Sequence, residues 1–420
     1  MHRVLAALLA AASCASVALA QTAPPVVAEG TLTLGQALSE AGAISPSIEE
    51  SGFGVRSAEA GRVVAGLRPN PTVTTEVENV VGTGAYRGLE GADTTVTFAV
   101  PLELGGKRSA RIAVADAEIS QSRLRTQVAY ADLRLAVTRA YINVIATERR
   151  LAIAESQIEI TTENLRVARD RVMVGANSPI DEQRANLQHV DAQTELAQAR
   201  VAAAEARRVL ERFLGRPLVE RLDTAWFDQV EQYGPDAPIS AEGTLAHALA
   251  QANMATADAR VRLARSQRIP DLTLSAGTRR LSGTNDQAMV FSVSVPLPVF
   301  NGGRAGVDQA IAQRSQADAQ RRTVLFDAEQ SISAVRAERD RAAAAVRASV
   351  PALEAALEAA RIARIGYGEG KFDQMVLLDA ERTLLERRRQ AIDALVAYHD
   401  AEARLARLTA PATVPAATGN

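Results

Sequence analysis

The sequence predicts a mainly α-helical protein with a small β part, built from two copies of one architecture. The segment ADTTVTFAVPLELGGKRSARIAVADAEI, from residue 92, matches QAMVFSVSVPLPVFNGGRAGVDQAIAQR, from residue 287, in its order of strand, double glycine and helix. Ala, Leu, Val and Ile recur at helical spacing over most of the chain, and aromatic residues make up only 4%. Each copy spans about 190 residues, which is too long for a solenoid unit. We therefore expect two halves that lie side by side.

Each copy is expected to run as a short helix, two strands, a very long helix, a tip and a returning long helix. Repeat 1 is assigned to residues 31–213 and repeat 2 to 241–409, and residues 214–240 link them. The predicted strands are 71–81, 94–104, 270–280 and 289–299. The predicted long helices are 107–172, 180–213, 304–365 and 373–408. Residues 21–30 form an N-terminal lead, and the Ala/Thr/Pro-rich tail at 410–420 is expected to be disordered.

Residues 1–20 have the pattern of a secretory signal peptide. Arg3 gives the charged start, an apolar stretch follows, and Ala18-Leu19-Ala20 is a small-x-small cleavage site. Cleavage there removes Cys14, the single cysteine, and leaves an exported chain without disulfides. The alternative is lipidation at Cys14, although the leucine that usually begins a lipoprotein cleavage box is missing.

The predicted strands alternate apolar and polar residues, as around Val96, Phe98 and Val100. Each strand is about ten residues long, the length that a tilted transmembrane β-strand requires. A half-buried strand in a soluble sheet would show the same alternation. Four strands cannot close a barrel alone, so strands that cross a membrane must be shared among several chains. The loops at 81–93 and 281–288 would then face outside the cell.

The helix predicted over 107–172 is unusually long. With an axial rise of about 1.5 Å per residue, its length would be roughly 99 Å. Two apolar stripes repeat every seven residues along its second half: Leu151, Ile158, Leu165 and Val172 form one, and Ile153, Ile160, Val167 and Val174 form the other. The stripes are offset by two residues, or about 200° around the helix. We therefore expect a neighbouring helix on each flank. Pro351 is expected to kink or break the second long helix.

The sequence carries no enzyme motif, since H-E-x-x-H and C-x-x-C are both missing. The histidines His189, His247 and His399 are scattered, and each is expected at the surface or in a helix seam. The formal net charge is −2, with Arg interspersed among Asp and Glu, which is not the footprint of a nucleic-acid-binding protein. We expect no catalytic residue, no cofactor, no metal site and no nucleic-acid partner.

Two further groups of residues have open or structural interpretations. The run Gly105-Gly106-Lys107-Arg108 lacks the upstream glycine and the following Ser or Thr of a phosphate loop. We assign Gly105 and Gly106, and likewise Gly302 and Gly303, to flexible turns from strand to long helix. Four acidic residues could line a water-filled path or lie on solvated faces: Glu76, Glu78, Asp116 and Glu118.

The duplicated plan and several motifs resemble a known family. VPLELGGKR at 100–108 and VPLPVFNGGR at 295–304 are similar to the corresponding segments of TolC-type outer-membrane efflux channels. RPNPTVTTEVENV at 68–80, followed by LELGGKRSAR, resembles the heavy-metal branch of that family, the CzcC-like proteins. MVGANSPIDEQRANLQ at 173–188 and YGEGKFDQMVLLDAERTL at 367–384 resemble its two helical-tip segments. The resemblance covers residues 31–409.

The resemblance implies a homotrimer in the outer membrane of a Gram-negative bacterium. Each chain would contribute four strands to a twelve-stranded barrel, and the long helices would continue it as an α-helical barrel in the periplasm. It also implies docking to a periplasmic adaptor (membrane fusion protein) and an inner-membrane RND pump. The docking tips would be formed by Val174, Gly175, Asn177, Ser178 and Pro179 in repeat 1 and by Tyr367, Gly368, Gly370, Lys371 and Phe372 in repeat 2.

The expected function is that of a passive exit duct in a tripartite efflux system, not an enzyme. The substrates implied by the branch are divalent heavy-metal cations, either cobalt, zinc and cadmium or copper. A channel of the same fold for drugs or for a secreted protein is the first alternative. A periplasmic coiled-coil adaptor is the second, although such proteins usually have one helical hairpin and this chain has two.

Overall fold

A computed structural model describes residues 30–230 and 240–413. The predicted signal peptide, with Cys14, lies outside the described residues, as do residues 231–239 of the predicted linker. The predicted mainly α fold with a small β part is confirmed. The strands are β1 (Thr31–Leu32), β2 (Thr72–Glu78), β3 (Asp93–Leu102), β4 (Arg221–Leu222), β5 (Leu272–Leu281) and β6 (Asp286–Ser294). The helices are α1 (Leu34–Ile44), α2 (Pro46–Ala65), α3 (Lys107–Met173), α4 (Pro179–Leu214), α5 (Leu245–Ser266), α6 (Arg304–Gly368) and α7 (Gln374–Leu408).

The four longer strands form one antiparallel sheet in the order β2-β3-β5-β6. The sheet therefore contains two hairpins, one from each repeat, and β3 pairs with β5 to join them. The outer strands β2 and β6 each have one edge that pairs with no strand in the part of the chain that the structure describes. A second, two-stranded parallel sheet pairs β1 with β4.

Several strand boundaries differ from the sequence prediction, for local reasons. β2 ends at Glu78 because Asn79 adopts φ 60°, which is outside the strand region. The last strand was predicted over 289–299 but spans Asp286–Ser294, since Pro296 and Pro298 have no N–H to donate to a ladder. β5 and β6 both extend into the predicted loop at 281–288, so the loop is shorter than predicted and consists of the four-residue turn 282–285.

The long helices pair as two hairpins, α3 with α4 and α6 with α7. Near the sheet, α3 is flanked by α2 and α5, and α5 in turn contacts α6. Farther from the sheet, α3 contacts α7, which places the four helices in the order α4-α3-α7-α6. The two stripes of α3 have separate partners, since Leu165 packs with Ala185 of α4 while Val167 packs against a cluster from α6 and α7 that includes Tyr367 and Leu377.

The largest apolar core lies midway along the molecule, where both repeats meet the short β1–β4 sheet. Tyr141 of α3 is fully buried there, and its hydroxyl lies 2.7 Å from the Leu32 carbonyl oxygen. His399 of α7 lies in the same core, with its Nε2 atom 2.8 Å from the Phe227 carbonyl oxygen. Burial raises the pKa of the Tyr141 hydroxyl, so this side chain stays neutral.

Three other expectations need correction. The single short helix expected before the strands of repeat 1 is two helices, α1 and α2, because Pro46 occupies the first turn of α2 after the extended Ser45. Pro351 does not break α6, which runs continuously through it. Proline removes only one N–H donor from this 65-residue helix. The packing of the neighbouring turns keeps the remaining helix intact.

The predicted disorder of the tail is wrong for residues 410–413. The Ala410 carbonyl accepts a hydrogen bond from the Leu245 backbone N–H, at 3.0 Å. The Thr413 backbone and the Gln127 amide exchange two hydrogen bonds, of 2.8 and 3.1 Å. The start of the tail is therefore fastened to α3 and to the beginning of α5.

Candidate functional site

The four-stranded sheet has one apolar and one polar face. Cross-strand rows on the apolar face contain Val73, Phe98, Ala276 and Phe291, and then Val100, Leu274 and Val293. Rows on the polar face contain Ala99, Ser275 and Ser292, and then Thr74, Thr97 and Gly277. The apolar face is open to solvent in the single chain, with Phe291 74% exposed. A two-faced sheet of this kind fits between lipid and water.

The polar face carries charge at the end of the sheet farthest from the long helices. Nη2 of Arg279 lies 2.8 Å from carboxylate oxygens of both Glu78 and Asp93, so one guanidinium bridges β2, β3 and β5. Glu76 lies on the same face by register. Asp116 and Glu118, also considered for a water-filled path, instead pair with arginines of neighbouring helices: Asp116 with Arg62 and Glu118 with Arg260.

The first tip, residues 174–179, is a tight reversal between α3 and α4. Gly175 adopts φ 71°, the left-handed conformation that favours glycine at a helix C-terminus. The N–H groups of Ala176 and Asn177 both bond to the Arg171 carbonyl, at 2.9 and 3.3 Å, which closes the turn. Ser178 precedes Pro179, and the proline begins α4 at a position where no backbone donor is needed.

The second tip, residues 367–372, reverses the chain between α6 and α7 in the same manner. Gly370 adopts φ 75°, and the Lys371 N–H bonds to the Gly366 carbonyl at 2.8 Å. The Phe372 ring packs directly on Gly366, where a Cβ atom would collide with the ring. Asp373 then caps α7 by accepting a hydrogen bond from the Val376 N–H, at 3.0 Å.

The structure brings the two tips together, through residues that sequence reasoning missed. Nη2 of Arg171 donates to the carbonyls of Tyr367 and Gly368, and its guanidinium lies 4.3 Å from the centre of the Tyr367 ring. Gln374 Nε2 donates to the Asp181 carbonyl at 2.9 Å. Arg171 lies in α3 next to the first tip segment, and Gln374 lies within the second, but the sequence singles out neither as a contact between the tips.

Electrostatics at the tips keep these groups in fixed protonation states. Burial raises the pKa of the Tyr367 hydroxyl, so the ring beneath Arg171 is neutral. The hydrogen bond to Glu381 raises the pKa of Arg364, one turn above the second tip. Arg364 and Glu381 thus form an ion pair between α6 and α7 close to the second tip.

Both tips expose large apolar side chains. Met173 and Val174 in the first tip are 76% and 78% exposed, and Ile180 follows at the start of α4. Around the second tip, Phe372 and Met375 are exposed. Exposed apolar groups of this size are typical of surfaces that contact another molecule.

Ion pairs join the two hairpins beside the main core and on either side of it. α3 and α7 run antiparallel, and three pairs cross between them: Asp132 with Arg407, Arg139 with Asp400, and Arg150 with Asp393. These groups are partly exposed, so each pair contributes modestly. Together they link the two helices over several turns.

The turns from sheet to long helix differ sharply between the repeats. We name residues 103–111 junction 1 and residues 295–304 junction 2. In junction 1, Gly105 and Gly106 both adopt φ 71°. A Cβ atom on Gly105 would lie 2.7 Å from Ile269 Cδ1 and 3.0 Å from the Ser266 carbonyl oxygen. Gly105 is therefore closely packed against the segment that leads into β5.

The charged residues of junction 1 bind it to neighbouring elements. Lys107 Nζ lies 2.7 Å from Asp271 Oδ1, and the same oxygen accepts a hydrogen bond from the Leu104 N–H. Arg111 pairs with both carboxylate oxygens of Glu103. The guanidiniums of Arg108 and Arg111 also reach the carbonyls that end α2: those of Ala65, Gly66 and Leu67. The glycine-lysine-arginine run thus holds the sheet to the helices.

Junction 2 has few such contacts. Gly303 adopts φ 71°, but a Cβ atom on Gly302 would meet nothing within 4 Å. Arg268 Nε donates to the Gly302 carbonyl at 3.3 Å. Phe300 is fully exposed. Asp308 stands where repeat 1 has Arg111, when the double glycines are aligned.

The described residues contain no group of three or more His, Cys, Asp or Glu side chains placed to hold a metal ion. His189 contacts the side chains of Thr161, Thr162 and Gln193. None of these three is a preferred metal ligand. Within 30–230 and 240–413, no helix is both long and apolar enough to span a membrane.

Comparison with known proteins bears directly on this architecture. The sequence profile described as "Outer membrane efflux protein" matches residues 37–216 and 246–410. The cobalt-zinc-cadmium resistance protein CzcC of Cupriavidus metallidurans is 28% identical over 400 residues, covering 91% of each chain. The nickel and cobalt resistance protein CnrC of the same organism is 31% identical over 291 residues, covering 69% of each chain. The crystal structure of CusC superposes with a TM-score of 0.76 at 18% identity, covering 90% of this chain and 91% of CusC.

Proposed function

Because the chain belongs to the outer membrane efflux protein family, we propose that three copies form a passive exit duct across the outer membrane. The observation that carries this proposal is the four-stranded sheet with one apolar face, one polar face and two free edges. An open edge is not tolerated in lipid, so the free edges of β2 and β6 must pair with other copies. Three copies supply twelve strands.

The proposed duct continues into the periplasm through the long helices. Within one chain the helices follow the order α2-α3-α5-α6 near the sheet and α4-α3-α7-α6 farther away. The lateral edges of the chain are thus β2, α2 and α4 on one side and β6 and α6 on the other. A head-to-tail ring of copies would join these unlike edges and wall a tunnel.

We propose divalent metal cations as the substrate class. The support is the names of the two relatives in Cupriavidus metallidurans, which confer resistance to cobalt, zinc and cadmium and to nickel and cobalt. Efflux of copper, of drugs or of a secreted protein by the same fold remains an outcome for experiment to decide.

The tips are proposed to dock a periplasmic adaptor, which would connect the duct to an inner-membrane RND pump. Val174, Met173 and Phe372 supply exposed apolar area at the end of the helices opposite the sheet. The link from Arg171 to the Tyr367 carbonyl holds both tips at one level, so that an adaptor could contact them together.

Growth of a deletion strain tests the proposed function. Plasmid-borne wild-type protein should restore tolerance to at least one of cobalt, zinc, cadmium, nickel and copper, and Val174→Asp should not. The matched control is Val219→Asp, because Val219 is as exposed but lies in the turn after α4, far from the tips. Both variants must reach the outer membrane at wild-type levels. Restored tolerance to drugs alone would refute the metal assignment, and full activity of Val174→Asp would refute docking at the tips.

A further inference from the structure

Junction 1 is packed within the chain in a way that junction 2 is not. Junction 1 follows β3, and it contacts residues 266–271, which lead into β5. β3 and β5 are antiparallel partners, so the end of one strand lies beside the start of the other. Where β3 pairs with β5, there is therefore a second contact next to the strands, between junction 1 and residues 266–271, which precede β5.

Junction 2 follows β6, which is an edge strand in the single chain. If β6 pairs with β2 of the next copy, the strand order continues antiparallel, and the end of β6 lies beside the start of that β2. The residues that lead into β2 are the end of α2 and the segment 66–71. Junction 2 of one copy would then contact the α2 end of the next copy, in the same way that junction 1 contacts residues 266–271 within one chain.

The two surfaces that this arrangement brings together are both apolar and both uncovered. At the end of α2, Val63, Val64 and Leu67 are 67%, 66% and 60% exposed. The backbone there is already satisfied, because Arg108 and Arg111 of the same chain bond to its carbonyls. Val63, Val64 and Leu67 are thus left as exposed apolar side chains beside a backbone that already has its partners.

Junction 2 offers the complement. Leu297, Val299 and Phe300 are exposed, and Pro296 and Pro298 have no N–H that needs a partner. Phe300 and Asn301 have no counterpart in repeat 1 when Val100-Pro101-Leu102 is aligned with Val295-Pro296-Leu297. The extra length lets the apolar segment extend beyond the strand.

We propose that Leu297, Val299 and Phe300 of one copy pack against Val63, Val64 and Leu67 of the next copy. The contact would form an apolar seal where barrel and tunnel meet, in place of the charged fastening that junction 1 makes inside the chain. This inference rests on the proposed trimer and goes beyond it, since it assigns the occupant of a specific surface. A lipid acyl chain is the competing occupant for Phe300.

Disulfide trapping tests the contact, and replacing Cys14 by Ser gives a chain with no other cysteine. The test pair is Leu67→Cys with Phe300→Cys. The control pair is Val77→Cys with Val293→Cys. Both residues lie on the apolar face of the two edge strands, so this pair reports the β6–β2 seam alone. Each variant is oxidised in outer membranes and run on denaturing, non-reducing gels.

The inference predicts that both pairs convert most of the monomer band into dimer and trimer, and that no single-cysteine variant forms trimer. Linkage of the control pair without the test pair would overturn the inference and leave the trimer standing. Linkage of neither pair would overturn both. Labelling of Phe300→Cys by a lipid-soluble maleimide in a trimer linked through the control pair would assign the segment to lipid and overturn the contact.

Discussion

Junction 1 and junction 2 join sheet to long helix at equivalent places in the two repeats, yet they do so by opposite chemistry. Junction 1 has charged groups that bond to α2 and to Asp271, and its glycine leaves no room for a side chain. Junction 2 has exposed apolar groups and an uncrowded glycine. The difference teaches that a duplicated element can be fastened inside the chain in one copy and left open for an interface in the other.

The largest difference between the junctions should be the loss of stability when one methyl group is added to a glycine of each. Gly105→Ala places Cβ against Ile269 and the Ser266 carbonyl at a positive φ, so we expect a loss of roughly 2–4 kcal/mol. Gly302→Ala should change stability by less than about 0.5 kcal/mol, since its Cβ meets nothing within 4 Å. The temperature at which half of the purified oligomer dissociates in detergent reports the stability change caused by each substitution. Equal midpoints for the two variants would show that the junctions are alike.

A smaller loss is expected from removing the guanidinium that joins junction 1 to α2. Arg111→Ala breaks the Glu103 pair and frees the Ala65 and Leu67 carbonyls, which should cost roughly 1–3 kcal/mol after allowance for partial exposure. Asp308→Ala, at the aligned position of junction 2, is the control and should be near neutral. A destabilised Asp308→Ala with a stable Arg111→Ala would reverse the comparison.

The smallest of the three effects should come from the Lys107–Asp271 pair. Lys107→Met keeps the apolar stem and removes the charge, so we expect a loss of about 0.5–1.5 kcal/mol. High salt should weaken the wild-type protein more than the variant, because the pair is partly exposed on the Asp271 side. Identical salt dependence of the two dissociation midpoints would exclude a role for this pair.

Sequence reasoning reached the fold class because long-range periodicity is a strong signal. Two stripes on one helix required two flanking helices, and Leu165 and Val167 indeed pack in different directions. The pairing of β3 with β5 was not predicted, since strand neighbours from different repeats leave no local pattern. Short segments failed where a single backbone feature decides, as at Asn79 and Pro296.

The candidate site was predicted less completely than the fold. The tip segments were found from their glycines and from family resemblance, and the structure places them side by side. Arg171, which links them, was missed because an arginine on a charged helix looks like any solvated residue. The fastening role of Arg108 and Arg111 was missed for the same reason, since their acceptors are backbone carbonyls, which sequence does not display.

The central claim is that three copies share one barrel and one tunnel. Native mass spectrometry of the protein extracted from outer membranes in mild detergent tests it most directly. The account predicts a single dominant species with three times the mass of the mature chain, which converts to monomer on heating. A stable monomer or dimer as the dominant species would contradict it.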